Sequence, residues 1–264
     1  MRQEYVALFF RRHSMSSYKI LFSNLGYARG ISGRLSEHIR YAHRHFYCPP
    51  SIQRQSLDQL KQLIKEVGPD LCCFVEIDQG SFGPARFNQL KHLVSENHAF
   101  SDIENKYAPD SLLRSLTATS GKSNAFISRK KYDFEKIYFT CGFKRLVYKI
   151  KVTEDITLFF AHFSLKKSVR TRQLLEARDL MRREEGEVIF LGDFNILSGL
   201  QEIEPLLDEG RFTLLNQPDV PTFFFHKHEL VLDLCVCSLP IGKNASLKVL
   251  PQSYSDHAAL ILEV

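Results

Sequence analysis

The stretch VIFLGDFNIL, residues 188–197, joins two kinds of sequence that are usually kept apart. Its first four residues are apolar and mostly β-branched or aromatic, which is typical of a strand buried on both faces. The next residues place a carboxylate at Asp193 and a carboxamide at Asn195, where that strand should end. Such a strand end is either an Asx-type turn or one edge of a functional site, and the rest of the chain must decide between them.

Short apolar runs of the same kind recur along the whole chain, and each predicts a β-strand. They cover residues 18–23, 70–76, 123–128, 145–152, 156–163, 187–191, 230–237 and 258–264. The fourth and fifth runs are separated only by the residues TED, so we expect them to form an antiparallel hairpin.

Helical patterns lie between some of these runs, over residues 52–67, 84–97 and 169–185. In the first, apolar residues recur on one stripe until Gly68-Pro69 stops the helix. In the third, Ser168 is the expected N-cap. Hairpins mixed with helical crossovers predict an α/β fold in which two sheets pack together and the helices lie outside.

The length of 264 residues fits one large domain, which we expect over residues 18–264. Residues 1–17 are expected to be an N-terminal tail that is either disordered or the product of a start upstream of the true one at Met15. The arginines of this tail leave a targeting or membrane-surface segment open as the alternative. No apolar stretch approaches the ~20 residues of a transmembrane helix.

The net charge of +5 suits an anionic substrate such as a phosphate ester, but it is smaller than that of a dedicated nucleic-acid-binding protein.

The positions of four cysteines are typical of small buried hydrophobic residues. Cys72 and Cys73 are adjacent in an apolar run, and Cys235 and Cys237 alternate with apolar residues. We therefore expect a reducing, cytoplasmic compartment, with export without a cleavable signal left open. A zinc site at Cys235 and Cys237 would lack a second pair of ligands.

Polar residues stand at the ends of the predicted strands. They are Asn24, Glu76, Asn124, His162, Asp193, Asn195, Asp233, Asp256 and His257. Each alone has an ordinary explanation, such as a solvated strand end or a satisfied core histidine. Gathered at one edge of a packed sheet, however, so many charges would be too costly to bury without compensation. A divalent metal ion and a bound phosphate would supply it, and oxygen ligands such as Glu76, Asp256 and Asn24 suit Mg²⁺ or Mn²⁺.

In chain order, the segments LFSN, CFVEID, FFAHFSL, FLGDFN, LVLDLCV and SYSDHAAL resemble those of the endonuclease/exonuclease/phosphatase superfamily. The resemblance covers the chain from about Tyr18 to Val264. It implies the deoxyribonuclease-I-like fold, a four-layer αββα sandwich of two mixed β-sheets packed face to face with helices outside. It also implies a Mg²⁺-dependent phosphoesterase in which water attacks phosphorus in line, on a phosphodiester more readily than on a monoester.

The resemblance implies a role for each polar residue. Glu76 would hold the metal, with Asn24 and Asp256 as further ligands directly or through water. Asp193 would be the general base, and Asn195 would hydrogen-bond the same water or the developing oxyanion.

The histidines and the remaining polar residues are expected on the phosphate side. His257 would contact the phosphate, with Asp233 fixing its tautomer and favouring its charged form. His162 would be a second donor, and Asn124 a further amide near the phosphate. A histidine at this position resembles the deoxyribonuclease I, sphingomyelinase and inositol-phosphatase branches more than the abasic-site endonucleases. The longer substrate-recognition motifs of the inositol phosphatases are not found around residues 190–200.

Two basic segments are candidates for the rim of the site. Residues 27–47 mix arginines and histidines with tyrosines, so Arg29 is expected to bind substrate unless the segment is an ordinary amphipathic helix. Residues 164–172 supply Lys166 and Arg170 as further expected substrate ligands. Their alternative is a charged helix start, which the positive end of the helix dipole would disfavour.

The leading hypothesis is a Mg²⁺-dependent phosphoesterase that cleaves a phosphodiester more readily than a monoester, with a lipid headgroup or nucleic acid as the substrate and no obligate protein partner evident. The alternative enzyme is a deoxyribonuclease-like or DNA-repair endonuclease. The alternative of another class is a non-catalytic phosphate-binding module with the same fold. Such a module is expected to lack a metal ligand or the water-activating aspartate, and here every such position is filled.

Overall fold

The computed structural model describes residues 18–264; the expected tail, residues 1–17, lies outside the described residues. In chain order the described strands are β1 (Lys19–Asn24), β2 (Leu71–Asp78), β3 (Phe100–Asn105), β4 (Lys122–Ser128), β5 (Asp133–Tyr138), β6 (Leu146–Lys151), β7 (Ile156–His162), β8 (Glu187–Asp193), β9 (Phe212–Leu214), β10 (Phe223–Phe225), β11 (His228–Leu230), β12 (Asp233–Ser238), β13 (Ser246–Leu250) and β14 (Ala259–Glu263). The helices are α1 (Leu35–Arg40), α2 (Pro50–Val67), α3 (Gln89–Leu93), α4 (Lys167–Arg182), α5 (Glu204–Leu207) and α6 (Leu239–Asn244).

The strands form two mixed sheets of six strands and one small hairpin of β10 and β11. The first sheet has the order β13-β14-β1-β2-β4-β3, in which only β1 and β2 are parallel. The second has the order β5-β6-β7-β8-β12-β9, in which only β7 and β8 are parallel. The expected antiparallel hairpin of β6 and β7 is confirmed.

The two sheets pack face to face through side chains that alternate along each strand, because successive residues point to opposite faces. The layer between the sheets contains Ile20 and Phe22 of β1 together with Leu158 and Phe160 of β7. Helix α2 covers the outer face of the first sheet, and α4 covers that of the second. This is the αββα sandwich that the sequence predicts.

Helix α2 illustrates why the outer helices form where they do. Leu57, Leu60 and Ile64 recur at helical spacing and pack on the first sheet. Pro50 occupies the first turn, where its missing N–H costs nothing. Gly68, with a φ of 63°, ends the helix in a left-handed conformation that glycine adopts without strain. The predicted helix is confirmed with a slightly earlier start.

Among residues 18–264, no helix combines the length and the apolar character that crossing a bilayer requires.

Two predicted helices have different bounds. The helix expected over 84–97 is limited to α3, since Ala85 and Arg86 have positive φ angles of 53° and 57° that a right-handed helix excludes. Helix α4 begins at Lys167, so Ser168 lies inside its first turn rather than capping it.

The four edge strands of the two sheets are absent from the predicted set. These are β3, β5, β9 and β13. Edge strands carry exposed polar residues that limit pairing with other chains, so they lack the continuous apolar run by which the central strands are identified.

Candidate active site

The site lies where the layer between the two sheets ends. Alternate residues of a strand face the same way, so a polar residue two positions beyond the last apolar residue also points between the sheets. Five strands show this pattern, each with an inward apolar residue followed at the site end by a polar residue two positions away. The pairs are Phe22 and Asn24 on β1, Phe126 and Asn124 on β4, Phe160 and His162 on β7, Leu191 and Asp193 on β8, and Cys235 and Asp233 on β12. The polar residues of the predicted strand ends converge because they continue the inward stripe of the core.

Glu76 joins this group through a β-bulge. The pairing of β2 with β4 shifts between Phe74 and Ile77, and Glu76 has a φ of 53°. A left-handed conformation at a residue other than glycine costs on the order of 1–3 kcal/mol. Bulges of this kind redirect a side chain at the end of a strand, and this one directs Glu76 to the site.

The turn after β8 brings Asp193 and Asn195 to the same place. Asn195, with a φ of 52°, donates its backbone N–H to Asp193 Oδ1 at 3.1 Å. Its side-chain Nδ2 donates to the carbonyl of Phe163 at 3.0 Å. The two interpretations of GDFN are therefore compatible: the segment is an Asx-type turn, and that turn places both polar side chains beside the other strand ends.

Asn24, Asp193, Asp233 and His257 form one continuous polar network. Asn24 Nδ2 donates to Asp193 Oδ2 at 3.0 Å and lies 3.3 Å from His257 Nε2. His257 Nδ1 lies 2.7 Å from Asp233 Oδ2. All four side chains are buried, so these contacts are shielded from water.

The charges in this network stabilise one another. Burial alone would raise the pKa of Asp193, but His162 and His257 outweigh it and hold that pKa well below its usual range. Burial alone would lower the pKa of His257, but the Asp233 and Asp193 carboxylates raise it above its ordinary value. Burial raises the pKa of Asp233. At neutral pH, Asp193 is ionised and the Asp233–His257 pair holds a proton on the imidazole.

Glu76 faces cationic and imidazole groups. Lys106 Nζ lies 3.7 Å and His162 Nδ1 lies 3.8 Å from Glu76 Oε1. Burial alone would raise the pKa of Glu76, but Lys106, His162 and Lys144 lower it to about 2. Burial lowers the pKa of Lys106 to about 7. Glu76 is therefore ionised at neutral pH.

His162 connects Glu76 to the buried network. Its Nε2 lies 3.2 Å from Asp193 Oδ2 and contacts the ammonium group of Lys144. Burial and the charge of Lys144 lower the pKa of His162 to about 4, so the imidazole is neutral at pH 7.

Several buried polar atoms at the site have no hydrogen-bond partner among the described residues. They are both side-chain polar atoms of Asn124, Nδ1 of His162 and Oδ1 of Asp233. Only one other such atom, Nε2 of His38, occurs in residues 18–264. An unpaired buried polar group costs about 1–3 kcal/mol, so their concentration here marks the place where a ligand would complete the site.

Glu76, Asp256 and Asn24 fit a hard divalent cation. Burial and the neighbouring charge of Glu76 raise the pKa of Asp256, and no described side chain forms an ion pair with it. Asn24 Oδ1 accepts one hydrogen bond, from the backbone of Gly26 at 3.0 Å, and keeps a second lone pair. Two neighbouring carboxylates and an amide oxygen are the donors that Mg²⁺ prefers.

Asp193, Asp233 and His257 also place one potential ligand atom each within 4.8 Å of the others. The imidazole nitrogens already face Asp233 and Asn24, however, so this group is better described as a hydrogen-bonded acid–imidazole network than as a metal site.

The expected rim residues differ in their positions. Arg29 Cζ lies 4.7 Å from the centre of the Tyr27 ring, and its charge helps to lower the pKa of Glu76, so Arg29 is beside the site. Lys166 is exposed immediately before α4 and forms no ion pair within residues 18–264.

Arg170 has a different position from the one expected. Its side chain is 1% exposed, and its guanidinium donates to Glu202 at 3.0 Å and to the backbone carbonyls of Ser164 and Leu165. The expectation that Arg170 binds substrate is therefore corrected: its donors are used inside the protein, where they connect α4 to the loop after β8.

Three lysines of the site were not predicted from the sequence, namely Lys106, Lys122 and Lys144. A signal for Lys144 exists, since it lies two positions before Leu146, the first inward apolar residue of β6. Lys106 follows edge strand β3, which has no apolar run to reveal it.

The fold and the convergent acids, amides and imidazoles define a phosphoric ester hydrolase of the deoxyribonuclease-I-like class. The chain belongs to the Endonuclease/Exonuclease/phosphatase family, since the sequence model of that family matches residues 45–257. The predicted family is thereby confirmed. No curated protein matches the sequence.

Solved structures share the fold at low sequence identity. A humanized D. rerio TDP2 with 14 mutations has a TM-score of 0.63 at 15% identity, over 94% of this chain and 98% of that one. The endonuclease domain of TRAS1, a telomere-specific non-LTR retrotransposon, has a TM-score of 0.59 at 17% identity, over 94% and 98%. The mannosyl-6-phosphatase of Bacteroides thetaiotaomicron has a TM-score of 0.59 at 13% identity, over 94% and 100%. The likeness establishes the sandwich architecture.

Proposed function

We propose that the protein is a Mg²⁺-dependent phosphodiesterase in which Asp193 positions and deprotonates the attacking water. The observation that carries the proposal is the position of the ionised Asp193 carboxylate, 3.0 Å from Asn24 and 3.2 Å from His162, beside both Glu76 and the Asp233–His257 pair. A nucleophile-activating carboxylate, a cationic donor and a pair of metal-binding acids thus meet at one point.

The residues of the chain divide the work of hydrolysis. Asp193 accepts the proton of the water, while Asn195, held by the same turn, orients that water or donates to the developing oxyanion. His257 in its charged form donates to a phosphoryl oxygen, and Asp233 fixes its orientation. Asn124, whose polar atoms are both free, provides a further hydrogen bond to the phosphate.

The low pKa of Asp193 at first makes it a weak base. The neighbouring cationic groups that lower this pKa, His257 and Lys144, would be neutralised in part by an anionic phosphate ester. Substrate binding therefore raises the basicity of Asp193 when the water must be deprotonated.

Glu76, Asn24 and Asp256 would hold Mg²⁺, with Mn²⁺ as a possible replacement. When bound, the ion would neutralise charge on the phosphoryl oxygen and the leaving alkoxide.

The hydrolysis of bis-p-nitrophenyl phosphate tests the proposal. We expect Mg²⁺-dependent turnover that stops on chelation and that is lost in the His257→Ala variant. Asp58→Asn is the matched control, because this exposed carboxylate pairs with His92 on the outer side of the first sheet. Turnover in the His257→Ala variant equal to that of the control would overturn the site assignment.

The class of phosphodiester is decided by a panel with Mg²⁺. Plasmid and abasic DNA test the endonuclease alternative, while sphingomyelin and phosphoinositides test a lipid headgroup substrate. Binding of phosphate esters without hydrolysis of any member would favour the non-catalytic module.

For the compartment, we propose the cytoplasm. The six cysteines are all free thiols, five of them buried, which suits a reducing environment.

A further inference from the structure

We propose that the cavity lined by Tyr27, Arg29 and Lys122 is a second anion-binding subsite, so that the substrate carries a terminal phosphate in addition to the ester that is cleaved. The inference rests on the proposed function and specifies its substrate class: a small phosphodiester with a second, terminal phosphoryl group.

The cavity has a volume of ≈ 150 Å³ and is lined by Tyr27, Arg29 and Lys122, with Phe46 and Phe82 at its walls. Tyr27 connects it to the site, because the Tyr27 hydroxyl contacts Lys106, which pairs with Glu76. A group bound in the cavity would therefore be a near neighbour of the phosphoryl group at Glu76.

Three arginines and lysines line the cavity, and none of them has an acidic partner among residues 18–264. Arg44 donates to the backbone carbonyls of Arg29 and Gly30, whereas the side chains of Arg29 and Lys122 have no such bonds within those residues. Arg29 Cζ lies 4.7 Å and Lys122 Nζ lies 5.3 Å from the centre of the same Tyr27 ring. Neither forms an ion pair with any residue in the described part of the chain. The acid in the lining, Asp78, is occupied, since its carboxylate accepts from the backbone of Gly80 at 2.7 Å and from that of Ser81 at 2.6 Å.

These two charges exceed what the cleaved ester needs. Lys106 and Lys144 are the cations directed at the reaction centre, since they flank Glu76 and His162. Arg29 and Lys122 line the cavity and hold two positive charges that a phosphate dianion would neutralise.

Asn124 lies between the reaction centre and Lys122 along β4 and indicates that the ligand extends in this direction. It lies on the same face of β4 as Lys122, two residues away, and is 1% exposed. Both of its polar atoms lack partners in residues 18–264. A polyanion extending from the reaction centre toward Lys122 would satisfy them.

The size of the cavity favours a terminal group over a polymer. Cys48, Gly83 and Pro84 enclose it, and the phenyl ring of Phe82 stands at its wall. A space of this volume accepts one phosphate-sized group, whereas a nucleic-acid backbone would have to continue through it.

The test compares two chromogenic phosphodiesters, p-nitrophenyl thymidine 5′-phosphate with and without a 3′-phosphate. Because charge-assisted hydrogen bonds are the stronger class, we expect the 3′-phosphate to increase kcat/KM by about 10- to 100-fold. Lys122→Met should remove most of this preference, whereas Lys131→Gln, at an exposed lysine, should retain it. Arg29→Gln provides a second variant, and thermal melts verify that each variant is folded.

Calorimetry separates this inference from the proposed function. Thymidine 3′,5′-bisphosphate should bind more tightly than thymidine 5′-phosphate, and Lys122→Met should abolish the difference. If that difference is found without hydrolysis of either ester, the subsite stands and the phosphodiesterase proposal fails. Equal binding and equal hydrolysis overturn the subsite, and so does a single-stranded oligonucleotide that competes better than the bisphosphate.

Discussion

The candidate active site has two sides that are built differently. On the paired side, formed by Asn24, Asp193, Asp233 and His257, neighbouring polar atoms lie 2.7–3.3 Å apart. On the open side, formed by Glu76, Lys106, Asn124 and Asp256, the contacts of Glu76 with Lys106 and His162 are 3.7 and 3.8 Å, and Asn124 has no partner in residues 18–264. The difference indicates that contacts within the protein hold the paired side, where only Asp233 Oδ1 lacks a partner among residues 18–264, while the open side is completed by what binds.

The origin of the difference lies in the sheets. Asn24, Asp193 and Asp233 end central strands, and Asp193 is in register with Asp233 of the neighbouring strand. Glu76 lies in a bulge, and Lys106 follows an edge strand. Central strands hold side chains to a fixed geometry, whereas bulges and edges leave room for a cation and a substrate.

The largest effect is expected at the centre of the paired side. Asp193→Asn keeps the shape of the side chain but cannot accept a proton from water, so kcat should fall by about 10²–10⁴-fold. The measurement is turnover of bis-p-nitrophenyl phosphate together with a thermal melt. A loss below tenfold would show that Asp193 does not act as the base.

The connection between α4 and the loop after β8 should contribute strongly to stability. Arg170→Met leaves the carboxylate of Glu202 buried without its partner, so the free energy of unfolding should fall by about 3–5 kcal/mol. Adding Glu202→Leu should restore most of this loss. Urea unfolding of the single and the double variant measures the free energy of unfolding of each. A double variant that is no more stable than Arg170→Met would contradict the ion-pair explanation.

Substitution of a metal-binding residue on the open side should lower the affinity for Mg²⁺ more than it lowers the free energy of unfolding. Glu76→Gln removes one of two carboxylates offered to the cation, so the affinity for Mg²⁺ should fall by at least the ~10–100-fold that supporting residues of metal sites cost. Isothermal calorimetry with Mg²⁺ measures this without requiring activity. Unchanged affinity would place the cation elsewhere.

The smallest effect should be found by comparing two asparagines. Asn24→Ala removes the buried hydrogen bond that Asn24 Nδ2 donates to Asp193 Oδ2 and should cost about 1–3 kcal/mol of unfolding free energy. Asn124→Ala removes no hydrogen bond within the described protein and should change that free energy by less than about 1 kcal/mol. If urea unfolding showed equal losses of unfolding free energy in the two variants, the paired and open sides would not differ in the way described.

The paired side was the part of the site whose position was easiest to predict from the sequence, for a physical reason. GDFN and SDH adjoin long apolar runs, and a buried run fixes both the position and the direction of the residue that ends it. The family and the four-layer fold follow from the same central strands. Lys106 could not be found in this way, since β3 lacks an apolar run.

Arg170 shows a different limit. Its burial depends on Glu202, thirty-two positions away in the chain, and on two carbonyl groups that only the folded loop presents. Local charge patterns therefore suggest a surface arginine where the tertiary structure forms an internal ion pair. The bounds of α3 have the same kind of cause, because nothing in the local pattern reveals the positive φ angles of Ala85 and Arg86.

The distribution of buried and partly exposed thiols allows a fluorophore to be attached near the site at a single position. Cys141 is the one cysteine that is not buried, and its backbone carbonyl and that of Lys144 both accept from Gln173 Nε2. Burial raises the pKa of the Cys141 thiol, so alkylation should be slow but confined to this position. A fluorophore attached there to the unmodified sequence would sit three residues from Lys144 and could report the arrival of an anion by a change in emission.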